Sequence, residues 1–379
     1  MSAELKSKVG GQAVLEGVMM RSPRCFAVVV RRQSGALVVR EQPWKAVWTS
    51  KIAKVPFLRG AATLVESMSN GYQALSFSAE QMEEDLAAEA AAVSTDGAAS
   101  ADSAEREAVS HTDAALNDGS EQESTTPVRK ESSASALAGR MATVFAVLLF
   151  IALPQVMAWL VGRLFGPGLG LQDFAFHAIT GAFKLLLVVG YMLAIRRVPE
   201  VRRVFQYHGA EHKAIATFEG GDPLEVSFAR GYSTRHARCG TTFIMVVVMV
   251  SVLAYAAILP PLLKGFDGVQ AQVMAVLLKV LMLPLIAGVA YELQRIGARF
   301  TDNPIAKIFL GPGYLVQGIT TIEPTDDQLE VALASLRVTL AREAAEQAGA
   351  SSPVTKPIVR RYASFEQFTS QFAIAGFKG

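Results

Sequence analysis

Two long runs of this 379-residue chain carry no charge at all, residues 141–162 and 239–263. A helix rising about 1.5 Å per residue needs roughly 20 apolar residues to cross a hydrocarbon core of about 30 Å, so both runs are long enough. Two further runs, 174–195 and 269–291, each hold a single lysine, Lys184 and Lys279, among Leu, Val, Ile and Met. A mid-span lysine costs about 2.5–3.5 kcal/mol on insertion scales, which the surrounding apolar residues offset. Snorkelling of the ammonium toward the interface is expected to lower that cost. The pattern predicts a mostly α fold: a polytopic helical membrane protein with four transmembrane helices and a small cytoplasmic portion of β-hairpin and helix.

The remaining segments are shorter. Between residues 9 and 40, CFAVVVRRQ and ALVVREQ flank Ser34-Gly35, two valine-rich arms around a turn that predict a hairpin in a short sheet at a solvated edge. Leu58, Ala61, Val65, Met68, Tyr72 and Leu75 recur at spacings of three and four, the stripe of an amphipathic helix lying on the membrane surface or against the bundle. Residues 80–139 hold 14 acidic and 3 basic residues and few large apolar ones, the composition of a disordered insert. Residues 326–347 open with two aspartates and read as an amphipathic helix. The expected organisation is therefore an N-terminal cytoplasmic segment (1–79), the acidic insert (80–139), a transmembrane domain (140–300) with a cytoplasmic loop at 196–238, a helical segment (301–347) and a loosely held tail (348–379).

Composition agrees with a membrane location. The chain is 51% hydrophobic and 18% charged, with mean hydropathy +0.30, where soluble domains carry about 25% charge. The net charge of +2 conceals an asymmetry, because outside the acidic insert 33 basic residues face 20 acidic ones. Arg196, Arg197, Arg202 and Arg203 follow the second run, Arg295, Arg299 and Lys307 follow the fourth, and several more cations lie between Arg21 and Arg59. The two intervening hairpin loops hold almost none. The positive-inside rule then puts both termini and the middle loop in the cytoplasm of a cell-membrane protein. Membrane orientation accounts for the basic face, so no nucleic-acid partner is expected; the expected partners are the bilayer and an amphiphilic or membrane-borne substrate. No apolar core of a cleavable signal peptide occurs in the first 20 residues. Two cysteines, Cys25 and Cys239, are too few for a disulfide framework.

The chemistry concentrates in Tyr207-His-Gly-Ala-Glu-His-Lys213. On a helix His208 and His212 share a face four residues apart, so two imidazoles can reach one metal, zinc or another divalent transition ion. Glu211 is spaced to act as a general base, and H-x-x-E-H is the inverted zinc-peptidase pattern. Further metal-ligand types arrive at the same membrane face: Glu292 at the end of the fourth run, and His236 with Cys239 at the start of the third. At the N-terminus, GGQAVLEGVMMR pairs two glycines, suited to a tight turn or close backbone approach, with Glu16 and Arg21 bracketing an apolar patch as a loop folding onto a site would. Structural alternatives stand beside each: polar-loop hydrogen bonds for the histidines, a helical Glu292–Arg295 pair, and a buried apolar role for Cys239. Lys184 with His177 offers a polar pathway as the alternative to snorkelling.

GGQAVLEGVMMRSP, YHGAEHKAIATFE, HARCGTTF and LVQGITTIEPTDDQLEVAL, four separated motifs in this order, resemble the DUF1385 family of YqhQ-like bacterial membrane proteins. The resemblance implies a multi-pass membrane protein regarded as a metal-dependent enzyme, and it carries His208, Glu211, His212, His236, Cys239 and Glu16 as the matching positions. Relatives commonly read His-Pro-Arg-Cys where this chain has His236-Ala237-Arg238-Cys239, which loosens that turn. The expected function is a metal-dependent, hydrolase-like enzyme with a cytoplasm-facing site. The alternative is a non-enzymatic scaffold, insertion factor or transport accessory with a structural metal.

Overall fold

The computed structural model describes residues 9–44, 55–99, 141, 144–165, 170–301, 303–349 and 357–371. It is mostly helical. Four antiparallel strands, β1 (Gly10–Val14), β2 (Gly17–Arg21), β3 (Cys25–Arg31) and β4 (Leu37–Pro43), open the chain. A helix, α1 (Leu58–Ala99), follows. After a π turn at Leu148–Ala152 come α2 (Leu153–Phe165), α3 (Phe174–Ile195), α4 (Pro199–Gly220), the single turn α5 (Val226–Ala229), α6 (Gly240–Leu262), α7 (Gly268–Gly297), α8 (Pro304–Thr320) and α9 (Asp326–Gln347). The chain closes with β5 (Ile358–Tyr362) and α10 (Phe365–Gln371).

Four helices are long and apolar enough to cross a membrane: Val144–Leu164, Phe174–Ile195, Gly240–Leu262 and Gly268–Gly297. They coincide with the four runs read from sequence. Ala158, Phe176, Tyr255, Leu259, Ala275 and Ile286 form their shared core, while Leu186, Leu253 and Leu281 point outward. So much outward apolar surface is what a lipid solvent accommodates and water does not.

The predicted β3–β4 hairpin is present, turned through Gly35 at φ +86°. It belongs, however, to a five-stranded sheet of order β1-β2-β3-β4-β5 that is covered on both faces. Alternation along the strands sends Val18, Met20, Ala27, Val29, Leu37 and Val39 toward α4 and α9. It sends Met19, Phe26, Val28, Val30 and Val38 toward α1, where Ala74 and Phe77 receive them. Near-continuous valine runs are the signature of strands buried on both faces, which explains why a solvated edge was the incorrect expectation. The α9 helix, begun by a capping box between Thr325 and Gln328, is bolted across β2 and β3. Ser335 Oγ donates to Ala27 O and accepts from Met20 N, and Thr339 Oγ1 donates to Met20 O.

Two further expectations differ from the structure. The α1 helix continues past residue 80 into the acidic insert. Its acids have a structural partner there: Arg32 donates to Asp85 at 2.5 Å and to Glu84 at 2.8 Å. Insert residues 100–139 lie outside the described residues. In the tail, β5 pairs with β4 and Phe368 is buried in the core. The sequence stripe on α1 also faces outward, with Val65, Met68, Tyr72 and Leu75 exposed. The helix meets the sheet with its opposite face, through Ala74 and Phe77.

Candidate metal centre

From Phe205 to Phe218 the α4 helix is buried or half-buried, and it reaches the sheet and the bundle at once. Proline at its first turn and Gly221 in the left-handed region at φ +86° delimit it. At its middle, Gly209 lies against the backbone of Ile322, and any Cβ there would fall inside contact with that carbonyl oxygen. The close approach lets residues 320–324 run along the helix, with Ile322 N donating to Phe205 O at 3.0 Å.

That packing orients the histidines. His208 Nδ1 lies 3.0 Å from Thr320 O, and His212 Nδ1 lies 2.5 Å from Thr234 O. A backbone carbonyl can only accept, so each Nδ1 carries the proton and donates. Each Nε2 is left with its lone pair, the tautomer that ligates a metal. Cys239 brings its thiol to this point from the N-cap of α6, with Sγ 3.3 Å from His208 Nε2 and 3.2 Å from Thr241 Oγ1. The ligand atoms of His208, His212 and Cys239 all lie within 4.8 Å of one another. Ligands on a tetrahedral zinc at about 2.0–2.3 Å stand roughly 3.3–3.8 Å apart, so a contraction of about 1 Å completes such a site. Two nitrogens and one sulfur match that ion class.

Electrostatics suit the same chemistry. Burial pushes the His212 imidazole below its usual range, the neutral form a ligand needs. Glu211 is 6% exposed, and burial holds its carboxyl above the usual carboxylate range, opposed by the charges of His208 and His236. Among the described residues no hydrogen bond or ion pair engages it. Gly11 of β1 packs on it so closely that a Cβ there would meet Glu211 Cγ at 2.7 Å. The paired glycines of the N-terminal motif thus make the close backbone approach their type permits.

The other sequence candidates fall elsewhere. Glu292 is held away by Arg59 of α1, which donates Nε at 2.5 Å and Nη2 to its two oxygens. Its ion pair is thus with Arg59 of α1. His236 stands beside the cluster, its ring centre 5.7 Å from that of His212, while its Nε2 lies 3.2 Å from Glu219. Glu219 also binds Arg238. Glu16 occupies the two-residue β1–β2 turn at φ +49° and pairs with Arg203, with Tyr207 Oη 3.4 Å away. It buttresses the first half of α4 rather than the cluster. Arg21 lies over the Trp44 ring at 4.7 Å.

Two amides escaped the sequence reading. Gln294 donates to Ala237 O and Cys239 O at 3.1 and 2.9 Å. Gln317 accepts from His236 N and donates to His236 O, both at 2.8 Å, and reaches Thr242 at 2.6 Å. Together they pin the loop that carries His236 and Cys239. Gln317 carried a signal, the one amide in the apolar helix α8; Gln294, between Glu292 and Arg295, carried none.

The fold and the cluster thus define a class: a bundle of four membrane-length helices joined to a sheet domain, with a His/His/Cys cluster where they meet. Residues 55–342 match the family described as "Protein of unknown function (DUF1385)". The chain is also 31% identical over 342 residues to the uncharacterized protein YqhQ of Bacillus subtilis (strain 168), covering 88% of this chain and 93% of that protein. The chain belongs to the DUF1385 family. The family match includes every residue of the cluster, and β1 to β4 precede it. No solved structure matches.

Proposed function

We propose that this protein is a membrane-embedded, metal-dependent hydrolase whose site faces the cytoplasm. The observation that carries the reading is the pair of imidazoles, each held at Nδ1 by a backbone carbonyl and grouped with the Cys239 thiol, beside a buried carboxyl that no described residue engages. His208, His212 and Cys239 would hold zinc or another divalent transition ion. Such an ion supplies Lewis acidity and makes water nucleophilic near neutral pH. Glu211, whose carboxyl burial holds above the usual carboxylate range, is suited to take a proton from an attacking water and return it to the leaving group. His236 and Arg238, joined through Glu219, would line the approach. The cluster sits at the ends of α3, α6 and α7 that carry Arg196, Arg197, Arg295 and Arg299, which supports a cytoplasmic site and a substrate presented from the bilayer. Substrates of the peptide, lipid and phosphoester classes all fit these groups.

The test is elemental analysis of detergent-purified protein beside His208→Ala/His212→Ala. The expected result is near one equivalent of metal, lost in the folded variant. Glu211→Gln then separates the roles: an enzyme loses turnover while keeping metal, whereas a scaffold with a structural metal keeps its function. Wild type without metal after reconstitution would overturn the reading.

A further inference from the structure

The half of the bundle away from the metal centre encloses two cations. Lys279 of α7 is 0% exposed and Lys184 of α3 is 8% exposed, so neither ammonium snorkels to water. Both turn inward to one aromatic ring, with Nζ of Lys184 5.0 Å and Nζ of Lys279 5.4 Å from the centre of Tyr255. Lys279 donates to Gln155 Oε1 at 2.6 Å, and Gln155 is held in turn by Gln272. Among the described residues Lys184 has no hydrogen-bond acceptor, and neither lysine has a carboxylate. Of the two acids in the hairpin loops at this end, Asp173 accepts from Gly170 N at 2.8 Å and Asp267 is exposed at the start of α7. His177 lies on the same helix as Lys184. Its Nε2 meets Leu171 O at 3.0 Å, and its Nδ1 is buried without a partner.

Two like charges in a low-dielectric interior repel and are poorly solvated, and natural bundles neutralise such groups with a counter-charge. Here the described residues supply the donors and the aromatic wall, and none of them brings an anion to the pair. Met245, Val246 and Ile286, all buried, lie along α6 and α7 between this pocket and Cys239. Cys239 and Tyr255 are 16 positions apart on α6, about 24 Å of helix. Packed apolar side chains therefore separate the lysine pair from the metal centre.

We infer that Lys184 and Lys279 form a site for an oxyanion of phosphate or carboxylate type, with Gln155 and Tyr255 fixing the two ammonium groups around it. A lipid headgroup and a free ion present the same chemistry. The full-length protein is assayed by its thermal midpoint in two arms. One titrates inorganic phosphate in detergent against sodium chloride at matched ionic strength; the other compares nanodiscs of phosphatidylglycerol with nanodiscs of phosphatidylcholine. A saturable rise with phosphate identifies a free oxyanion, and a rise confined to phosphatidylglycerol identifies a headgroup. In either case Lys184→Met and Lys279→Met should weaken half-saturation at least tenfold or abolish the response, while Lys184→Arg, which keeps the cation, retains it. A wild type that responds in neither arm, or lysine-to-methionine variants that respond like wild type, would overturn the inference.

Discussion

Replacing Gly209 by alanine tests whether the α4 packing sets up the metal centre. Alanine is the better helix former by about 1 kcal/mol, so propensity alone predicts stabilisation. The geometry predicts the reverse. The new Cβ would overlap the Ile322 carbonyl oxygen and stand 3.2 Å from its carbon and 3.4 Å from Pro324 Cδ. The obstacle is backbone, which cannot rotate away, so residues 320–324 must retreat by about 1 Å. Overpacking of that kind costs roughly 1–3 kcal/mol, and loss of the Ile322–Phe205 hydrogen bond adds about 1 kcal/mol. The net destabilisation is about 1–3 kcal/mol, or roughly 2–4 °C per kcal/mol in the midpoint. Retreat also withdraws Thr320 O from His208 Nδ1, and loss of such an outer partner lowers metal affinity about 10–100-fold. The assay is a thermal scan with and without chelator, followed by competition for metal against a chelator of known affinity. Gly318→Ala, a helical position whose Cβ meets nothing, serves as the control and should melt at or above wild type. A Gly209→Ala protein that melts no lower and binds metal as tightly as wild type would refute the reasoning.

Three other outcomes follow from the same structure. Glu292→Gln should leave metal content unchanged, whereas Arg59→Ala, which strips a partly buried carboxylate of its cation, should lower the midpoint by about 1–3 kcal/mol equivalent; a metal loss on Glu292→Gln would restore it as a ligand. In metal-free protein Glu211→Gln should be more stable than wild type at pH 8, where the unfolded carboxylate ionises freely and the buried one resists. The gap should close toward pH 4, where both states are protonated, so a gap independent of pH in urea titrations would count against a raised carboxyl. A stop after Gly349 removes buried Tyr362 and Phe368, at about 3–5 kcal/mol for a core aromatic, and bares the edge of β4. Limited proteolysis should then digest the sheet domain, and a protease-resistant sheet would show that β5 is dispensable.

Much of this was legible in the chain itself, for identifiable reasons. The four membrane-length helices follow from uninterrupted apolar length, and the shared face of His208 and His212 follows from helical period. Both are local properties. The partner of Glu292 was not legible, because Arg59 lies 233 positions away and nothing in either neighbourhood names the other. The β1–β2 hairpin turns on Leu15-Glu16, which lacks the Asn-Gly type of signal for a two-residue loop. The stripe on α1 was read correctly as a periodicity, yet the helix meets the sheet through Ala74 and Phe77 on its other face. Snorkelling was a reasonable expectation for Lys184 and Lys279 that the inward-facing Tyr255 ring displaces.

The stitching of α9 to β2 and β3 spans 308 to 319 positions, and it sets a timetable for synthesis. Strands β1 to β4 leave the ribosome first, but the helix that fills one face and the strand that closes one edge are made last. All four membrane-length helices are made between those events. Contacts of such separation form slowly, because the loop must close before they reward it. The early strands therefore spend most of translation as exposed valine-rich edges, the kind of surface that aggregates or recruits chaperones. Assembly of the four-helix bundle, by bringing residues 199–220 and 326–347 together, becomes the step that ends that exposure. The sheet domain of this protein is thus built from both ends of the chain around a helical bundle that must already be in place.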